Sequence, residues 1–199
     1  RGEGVDGDLL LYIIACSRRR EGALQGPVIG TVMTNLGLEH AFAALEIPFM
    51  RAAVGDRYVL EMLQREQGIL GGESSGHLLC LDRTTTGDGI VSALQVLYEL
   101  IESSTTLSEW VDRVPLYPQV MINVPLKQRG VNDSELIQQA VAATEARMAG
   151  RGRVLLRPSG TEPLVRVMVE GEHADEVEKE VNQLAKLVRE EVGEAVDEI

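Results

Sequence analysis

The stretch from Gly152 to Gly171, GRVLLRPSGTEPLVRVMVEG, sets two apolar, β-rich runs on either side of RPSGTEP. A hairpin needs only two or three turn residues. This connection instead carries Arg157, Ser159, Gly160, Thr161 and Glu162, with Arg166 just beyond it. Ser159 and Thr161 offer hydroxyls, and Gly160 lets the backbone turn tightly and present its N–H groups unobstructed. A hairpin folds its two arms together, so Arg157 and Arg166 reach the same side. Hydroxyls, backbone amides and arginines are the set that holds a phosphate, through bidentate guanidinium bonds and an amide nest. The plain alternative is a long turn with surface arginines.

A second stretch, GGESSGH (71–77), places Glu73, Ser74, Ser75 and His77 on one tight turn. A carboxylate with a hydroxyl beside it is suited to vicinal sugar hydroxyls, and His77 could exchange protons near neutral pH. An ordinary polar hairpin with a structural histidine has the same composition. In VGDRYV (54–59), Asp56 fits a helix N-cap and Arg57 could reach an anion. Ligands in α/β folds sit where strands end and helices begin. RTTTGDG (83–89) reads as another helix start capped by Asp88. VDGD (5–8) reads as a cap before an apolar helix, with a metal loop as the alternative. His40 and His173 have no partner at metal-ligand spacing and read as surface or packing residues.

The elements that must position these stretches alternate. Helices are predicted over 7–19, 37–46, 56–66 and 87–103, and strands over 27–33 and 47–54. ILGG and HLLCL form two short strands around the turn at 72–76. Such alternation predicts a layered α/β domain, a mixed sheet with flanking helices. Residues 104–118 break the rhythm, with Pro115 and Pro118 in DRVPLYPQ, so a linker is placed at 111–118 between domains at 1–110 and 119–199. The second half reads as strand 119–126, helix 134–149, strands 153–157 and 164–170, and a last helix from about 173 to 196. In that helix Val177, Val181, Leu184, Val188 and Val192 recur at spacings of three and four. The β-α-β-β-α order predicts a smaller α+β domain, an antiparallel sheet with helices on one face.

The 199 residues are 44% hydrophobic and 25% charged, which suits a packed core. The net charge of -12 argues against nucleic acid, whose binding rests on Lys and Arg at phosphates. An anionic ligand would need local positive charge, since exposed charges are screened beyond about 8 Å. Cys16 and Cys80 lie in apolar runs and read as buried free thiols, which suits a cytoplasmic protein. No apolar run approaches the roughly 18 residues of a membrane span, and no signal peptide is visible.

Taken together and in this order, GGESSGH, TTTGDGI, VGDRYV and RPSGTEPLVRVMVEG resemble the α-D-phosphohexomutases, and within them the bacterial phosphoglucosamine mutase branch. The resemblance covers essentially the whole chain. It implies the third and fourth of the family's four domains, the first two lying upstream of Arg1. It also implies interconversion of glucosamine 6-phosphate and glucosamine 1-phosphate through a phosphoserine and a sugar 1,6-bisphosphate, assisted by Mg²⁺ on an Asp-rich loop. Neither the phosphoserine motif nor that metal loop occurs in this chain, so the chain alone is expected to be inactive. By resemblance, Glu73 and Ser75 contact sugar hydroxyls, and His77 lies beside them and helps move protons. Arg157, Ser159, Gly160, Thr161 and Arg166 clamp the non-reacting phosphate, and Arg57 lines the cleft. A related phosphomannomutase or phosphoglucomutase, and a non-catalytic module that binds sugar phosphates, remain as alternatives. The amine-reading contacts are not evident in the sequence, nor is the oligomeric state.

Overall fold

The computed structural model describes residues 2, 4–126, 134–148, 150–159 and 162–192, the side chain of Val192 excepted. The chain forms two compact units, Arg1–Leu116 and Tyr117–Ile199. Gly160, Thr161 and the end of the predicted last helix (193–196) lie outside the described residues. No described helix is long and apolar enough to cross a membrane.

The first unit runs α1 (Gly7–Arg20), β1 (Val28–Thr31), α2 (Leu36–Ala44), β2 (Phe49–Ala52), α3 (Asp56–Glu66), β3 (Leu70–Gly72), β4 (Leu78–Cys80), α4 (Gly89–Glu102) and α5 (Leu107–Val111). Its strands lie in the order β2-β1-β3-β4. β1 is parallel to both neighbours, and β3–β4 is an antiparallel hairpin. Strand side chains alternate between faces. Val28, Leu70, Leu78 and Cys80 therefore join a core with α1 and α2, while Ile29, Ala52 and Leu79 pack with Val59 and Leu63 of α3. Covering both faces is what a largely parallel sheet requires.

The helix starts show how local sequence sets these elements. Asp6 caps α1 by accepting from Leu9 N at 3.1 Å. Asp8 does something else: it is buried, and its Oδ2 accepts from Asn35 N at 2.8 Å. Burial pushes its carboxyl up to about 6. Asp88 caps α4 through Ile90 N and Val91 N. The reading of Asp56 as a cap is corrected: Gly55, at φ 127°, is the N-cap of α3 and Asp56 is the first helical residue.

The 111–118 linker also takes a different form. TLSE (106–109) is a capping box that starts α5, Thr106 and Glu109 bonding each other's backbone. Helix α5 then buries Trp110 edge-on to Tyr12, with ring centroids 6.1 Å apart. Val114 is buried in the same core, so the chain as far as Leu116 packs with the first unit.

The second unit comprises β5 (Gln119–Pro125), α6 (Glu135–Met148), β6 (Gly152–Pro158), β7 (Leu164–Gly171) and α7 (Ala174–Val192). The sheet is antiparallel in the order β5-β7-β6. Val165, Val167 and Val169 of β7 point to one face and pack with Val124, Ile137 of α6, and Val177, Val181, Leu184 and Val188 of α7. Arg157 and Arg166 pair in register on the alternate positions, so both project from the helix-free face.

Each unit thus has its own core, and the single tryptophan, Trp110, reports only on the first. Ile137→Ala should destabilise the second unit by about 2–5 kcal/mol. In urea, part of the far-UV circular dichroism change should move to lower concentration while the Trp110 fluorescence midpoint stays in place. An equal fall of both midpoints would mean that the cores unfold as one.

Candidate functional site

The β3–β4 hairpin carries the first group of candidate residues. Glu73 N donates to His77 O at 3.0 Å, Gly76 N donates to Glu73 O at 2.9 Å, and Gly76 sits at φ 96°, where a side chain would be strained. Two other segments hold the turn from outside. Gly7 N, at the start of α1, donates to Ser74 O at 2.9 Å. Gly55 N donates to Glu73 Oε1 at 2.9 Å. The Glu73 carboxylate therefore fastens the strand-to-helix loop to the turn, with one oxygen already engaged.

Ser75 and His77 remain exposed. The His77 ring lies over Gly87, where an added Cβ would stand 2.1 Å from Nε2. Its Nε2 is 3.7 Å from Asp56 Oδ2. Ser75, His77, Gly87 and Gly89 are among the walls of an open pocket of about 390 Å³. Glu73, Ser75 and His77 are thus brought together, and Asp56 joins them as a carboxylate that the sequence reading assigned to capping. Arg57 is not drawn to this turn: it is exposed and its Nε donates to Glu61 Oε1 at 2.7 Å, one helical turn on. That bond raises the Arg57 pKa further.

The second group lies on the β6–β7 arms. Arg157 and Arg166 occupy one register position of an antiparallel pair, and Asn123 of β5 is the neighbour of Arg166 on its other side. Like charges directly opposite are destabilising. Both Nε atoms are buried and have no hydrogen-bond partner among the described residues. Arg166 has Glu162 at 3.9 Å, beyond hydrogen-bond length. Ser159 N donates to Leu164 O at 2.8 Å, closing the connection, and its Oγ accepts from Glu162 N at 3.3 Å. Two like charges with unfilled buried donors form a site that an anion would complete. Asn123 escaped the sequence reading; its only signal is a polar residue alternating with Val120, Ile122 and Val124.

Cys16 and Cys80 are free, the first half-buried and the second buried. Burial pushes the Cys16 thiol up to about 11 and raises that of Cys80 too. Among the described residues no group of three or more His, Cys, Asp or Glu could hold a metal ion. The donor set therefore does not fit Mg²⁺, and no step is assigned to a metal on these residues.

Two glycines test how the turn is held. At Gly87 the three atoms nearest an added Cβ all belong to the movable His77 ring, so Gly87→Ala should keep stability within about 0.5 kcal/mol of the parent. It should nonetheless shift the His77 ring resonances. At Gly7 the Cβ would come within 2.0 Å of the Glu73 carbonyl oxygen. Gly7→Ala should therefore cost about 1–3 kcal/mol or more and disturb the amides of 73–76. Thermal unfolding and two-dimensional NMR of both variants check this; a silent Gly7→Ala would remove α1 from the support of the turn.

Two family models match the chain. Phosphoglucomutase/phosphomannomutase, alpha/beta/alpha domain III, covers residues 6–117, and phosphoglucomutase/phosphomannomutase, C-terminal domain, covers 121–187. The phosphoglucosamine mutase of Alkalilimnicola ehrlichii is 62% identical over 96% of this chain and 42% of its own length. That of Nitrosococcus oceani is 56% identical over 97% and 43%. The chain thus spans about two-fifths of the length of these curated relatives. Among solved structures, the N-acetylphosphoglucosamine mutase of Aspergillus fumigatus, in complex with GlcNAc-6P and magnesium, matches with a TM-score of 0.78 at 20% identity, over 92% of this chain and 46% of that one. A phosphoglucomutase/phosphomannomutase family protein from Burkholderia thailandensis matches with a TM-score of 0.71 at 18% identity, over 95% and 42%. With both models in chain order over most of its length, the chain belongs to the phosphoglucomutase/phosphomannomutase family.

Proposed function

We propose that the chain supplies the sugar- and phosphate-reading half of a phosphoglucosamine mutase, which interconverts glucosamine 6-phosphate and glucosamine 1-phosphate through a phosphoserine and a sugar 1,6-bisphosphate. The observation that carries this reading is the Arg157–Arg166 pair, opposed across β6–β7 with both buried Nε donors unfilled among the described residues. A phosphate dianion relieves the repulsion and fills the donors at once. Ser159, Gly160 and Thr161 complete the clamp on the connecting loop. The net charge of -12 is no obstacle, because positive charge at the strand pair acts locally.

The 73–77 turn addresses the sugar ring. Glu73 is held by Gly55 N through one oxygen, and its other oxygen and the exposed Ser75 hydroxyl serve ring hydroxyls. His77 exchanges protons with a hydroxyl at that ring. Arg57 lines the approach once it leaves Glu61. The phosphoryl carrier and the Mg²⁺ ligands are assigned to a part of the full-length protein outside this chain, which spans 42% of the length of the Alkalilimnicola ehrlichii relative. Phosphoryl transfer needs both, so the chain alone is expected to bind without turning over.

One observation favours an amino sugar over the neutral sugar of a phosphoglucomutase or phosphomannomutase. The exposed Asp56 carboxylate stands beside His77, with Oδ2 3.7 Å from Nε2. It is placed to meet the ammonium that glucosamine carries and glucose lacks.

Calorimetric titration with glucosamine 6-phosphate, glucose 6-phosphate and inorganic phosphate tests the reading. Arg166→Ala should weaken all three by about tenfold or more, the loss of charge-assisted bonds. Asp56→Asn should weaken the amino sugar alone, by about 3- to 5-fold for so exposed a pair. Unchanged binding in Arg166→Ala would sink the phosphate assignment. An equal response of both sugars to Asp56→Asn would sink the amine assignment and leave the neutral-sugar mutases in its place.

A further inference from the structure

Helix α4 packs Val96 and Leu100 against the core of the first unit, yet its other side is apolar too. Its buried side carries Ser92, Val96 and Glu99, and Arg20 of α1 reaches Glu99 Oε2 at 2.6 Å. The buried Arg18 of α1 is bonded to Gln95 of the same helix. Five large apolar residues face outward: Ile90 is 75% exposed, Leu94 57%, Leu97 53%, Tyr98 44% and Ile101 74%. Their spacing of four, seven, eight and eleven from Ile90 makes one continuous stripe along the helix. The helix has no Lys or Arg at all. A helix apolar enough to be buried on the side where water stands marks an interface.

What covers the stripe follows from where the chain enters the unit. Gly7, the first residue of α1, is bonded to Ser74 of the β3–β4 turn. That turn shares its pocket with Gly87, Asp88 and Gly89, the start of α4. A polypeptide preceding Gly7 therefore arrives at the end of the unit where α4 begins. The relatives have such a polypeptide: the match occupies 42% of their length, and the models it satisfies are the third and the C-terminal domain.

We propose that the outward face of α4 is the docking surface for the domain that precedes this half in the full-length mutase, through an apolar patch that meets Ile90, Leu94, Leu97 and Ile101. The proposal rests on reading the chain as the C-terminal half of such an enzyme. The Tyr98 hydroxyl is hydrogen-bonded to Glu21, so its ring is presented with the polar end already satisfied.

Cysteine labelling tests this. Leu94→Cys and Leu97→Cys are made singly in the 199-residue chain and at the aligned positions of full-length Alkalilimnicola ehrlichii phosphoglucosamine mutase. Maleimide labelling is followed at several protein concentrations, with an exposed α7 position, Glu178→Cys, as the reference. Both α4 cysteines should label at the reference rate in the chain and about 20-fold or more slowly in the full-length enzyme, at every concentration. Equal rates in the two proteins would overturn the proposal, since nothing would then cover the face. Protection that grows with concentration in the chain itself would also overturn it, in favour of a second copy. Failure of the chain to bind any phosphosugar in the calorimetric titration would instead strike the functional reading, and labelling does not depend on it.

Discussion

The proposed function rests on an electrostatic conflict between two strands. Antiparallel pairing sets Arg157 and Arg166 at one register position on the face of the sheet that α6 and α7 leave open. Two guanidinium groups held there repel each other, and each has a buried Nε donor without a hydrogen-bond partner among the described residues. Such donors are costly to leave unfilled. The valine ladder of β7 and the apolar stripe of α7 fix the register, so the arginines cannot move apart by slipping. Elsewhere in this unit buried charge is matched: Arg153 has Glu170 at 2.6 Å and Arg147 has Glu180 at the same distance. Arg157 and Arg166 differ from that background, with only the 3.9 Å approach of Glu162 to Arg166 among the described residues, and the proposed anion would supply the missing bonds.

The first unit solves a different problem, the positioning of small polar groups on a turn. Gly7, Gly55 and Gly87 support it from α1, the loop before α3 and the loop before α4. Two give backbone N–H bonds and the third gives space for an imidazole. Glu73 acts twice, as the tie to Gly55 and as a carboxylate at the turn. The glycines serve the turn in two ways: Gly7 and Gly87 let backbone or ring approach more closely than a side chain would allow, and Gly55 adopts φ 127°. Gly55 takes the N-cap position, and Asp56 Oδ1 accepts from Arg57 N at 2.7 Å, which leaves Oδ2 toward His77.

Much of this was legible in the sequence. Period-two and period-3.6 patterns mark the strands and helices, and Val59 and Leu63 of α3 and Val177, Val181, Leu184 and Val188 of α7 lie in the cores as those patterns select, whereas the apolar stripe of α4 faces outward. The α5 helix was missed because Pro115 and Pro118 drew attention to a linker, whereas the capping box at Thr106–Glu109 was the stronger signal. At VGDRYV an aspartate at a helix start reads as a cap, but Gly55 at positive φ moves the helix boundary by one residue. The arginines could be placed on one side of a hairpin from sequence. Their direct opposition could not, because it depends on the register of Ser159–Leu164 closing the loop. Asn123 and the tie between Glu73 and Gly55 join residues distant in the chain, which local patterns do not encode.

The central claim is that the two orphan donors of the β6–β7 pair hold the phosphate. It is tested most directly by observing the arginine Nε–H resonances by ¹⁵N NMR while glucosamine 6-phosphate is added. The account predicts that the Arg157 and Arg166 Nε–H signals both move downfield and exchange more slowly with water, saturating together. If both stay in place while ligand-induced shifts appear at other residues, the phosphate is held elsewhere and the account is wrong.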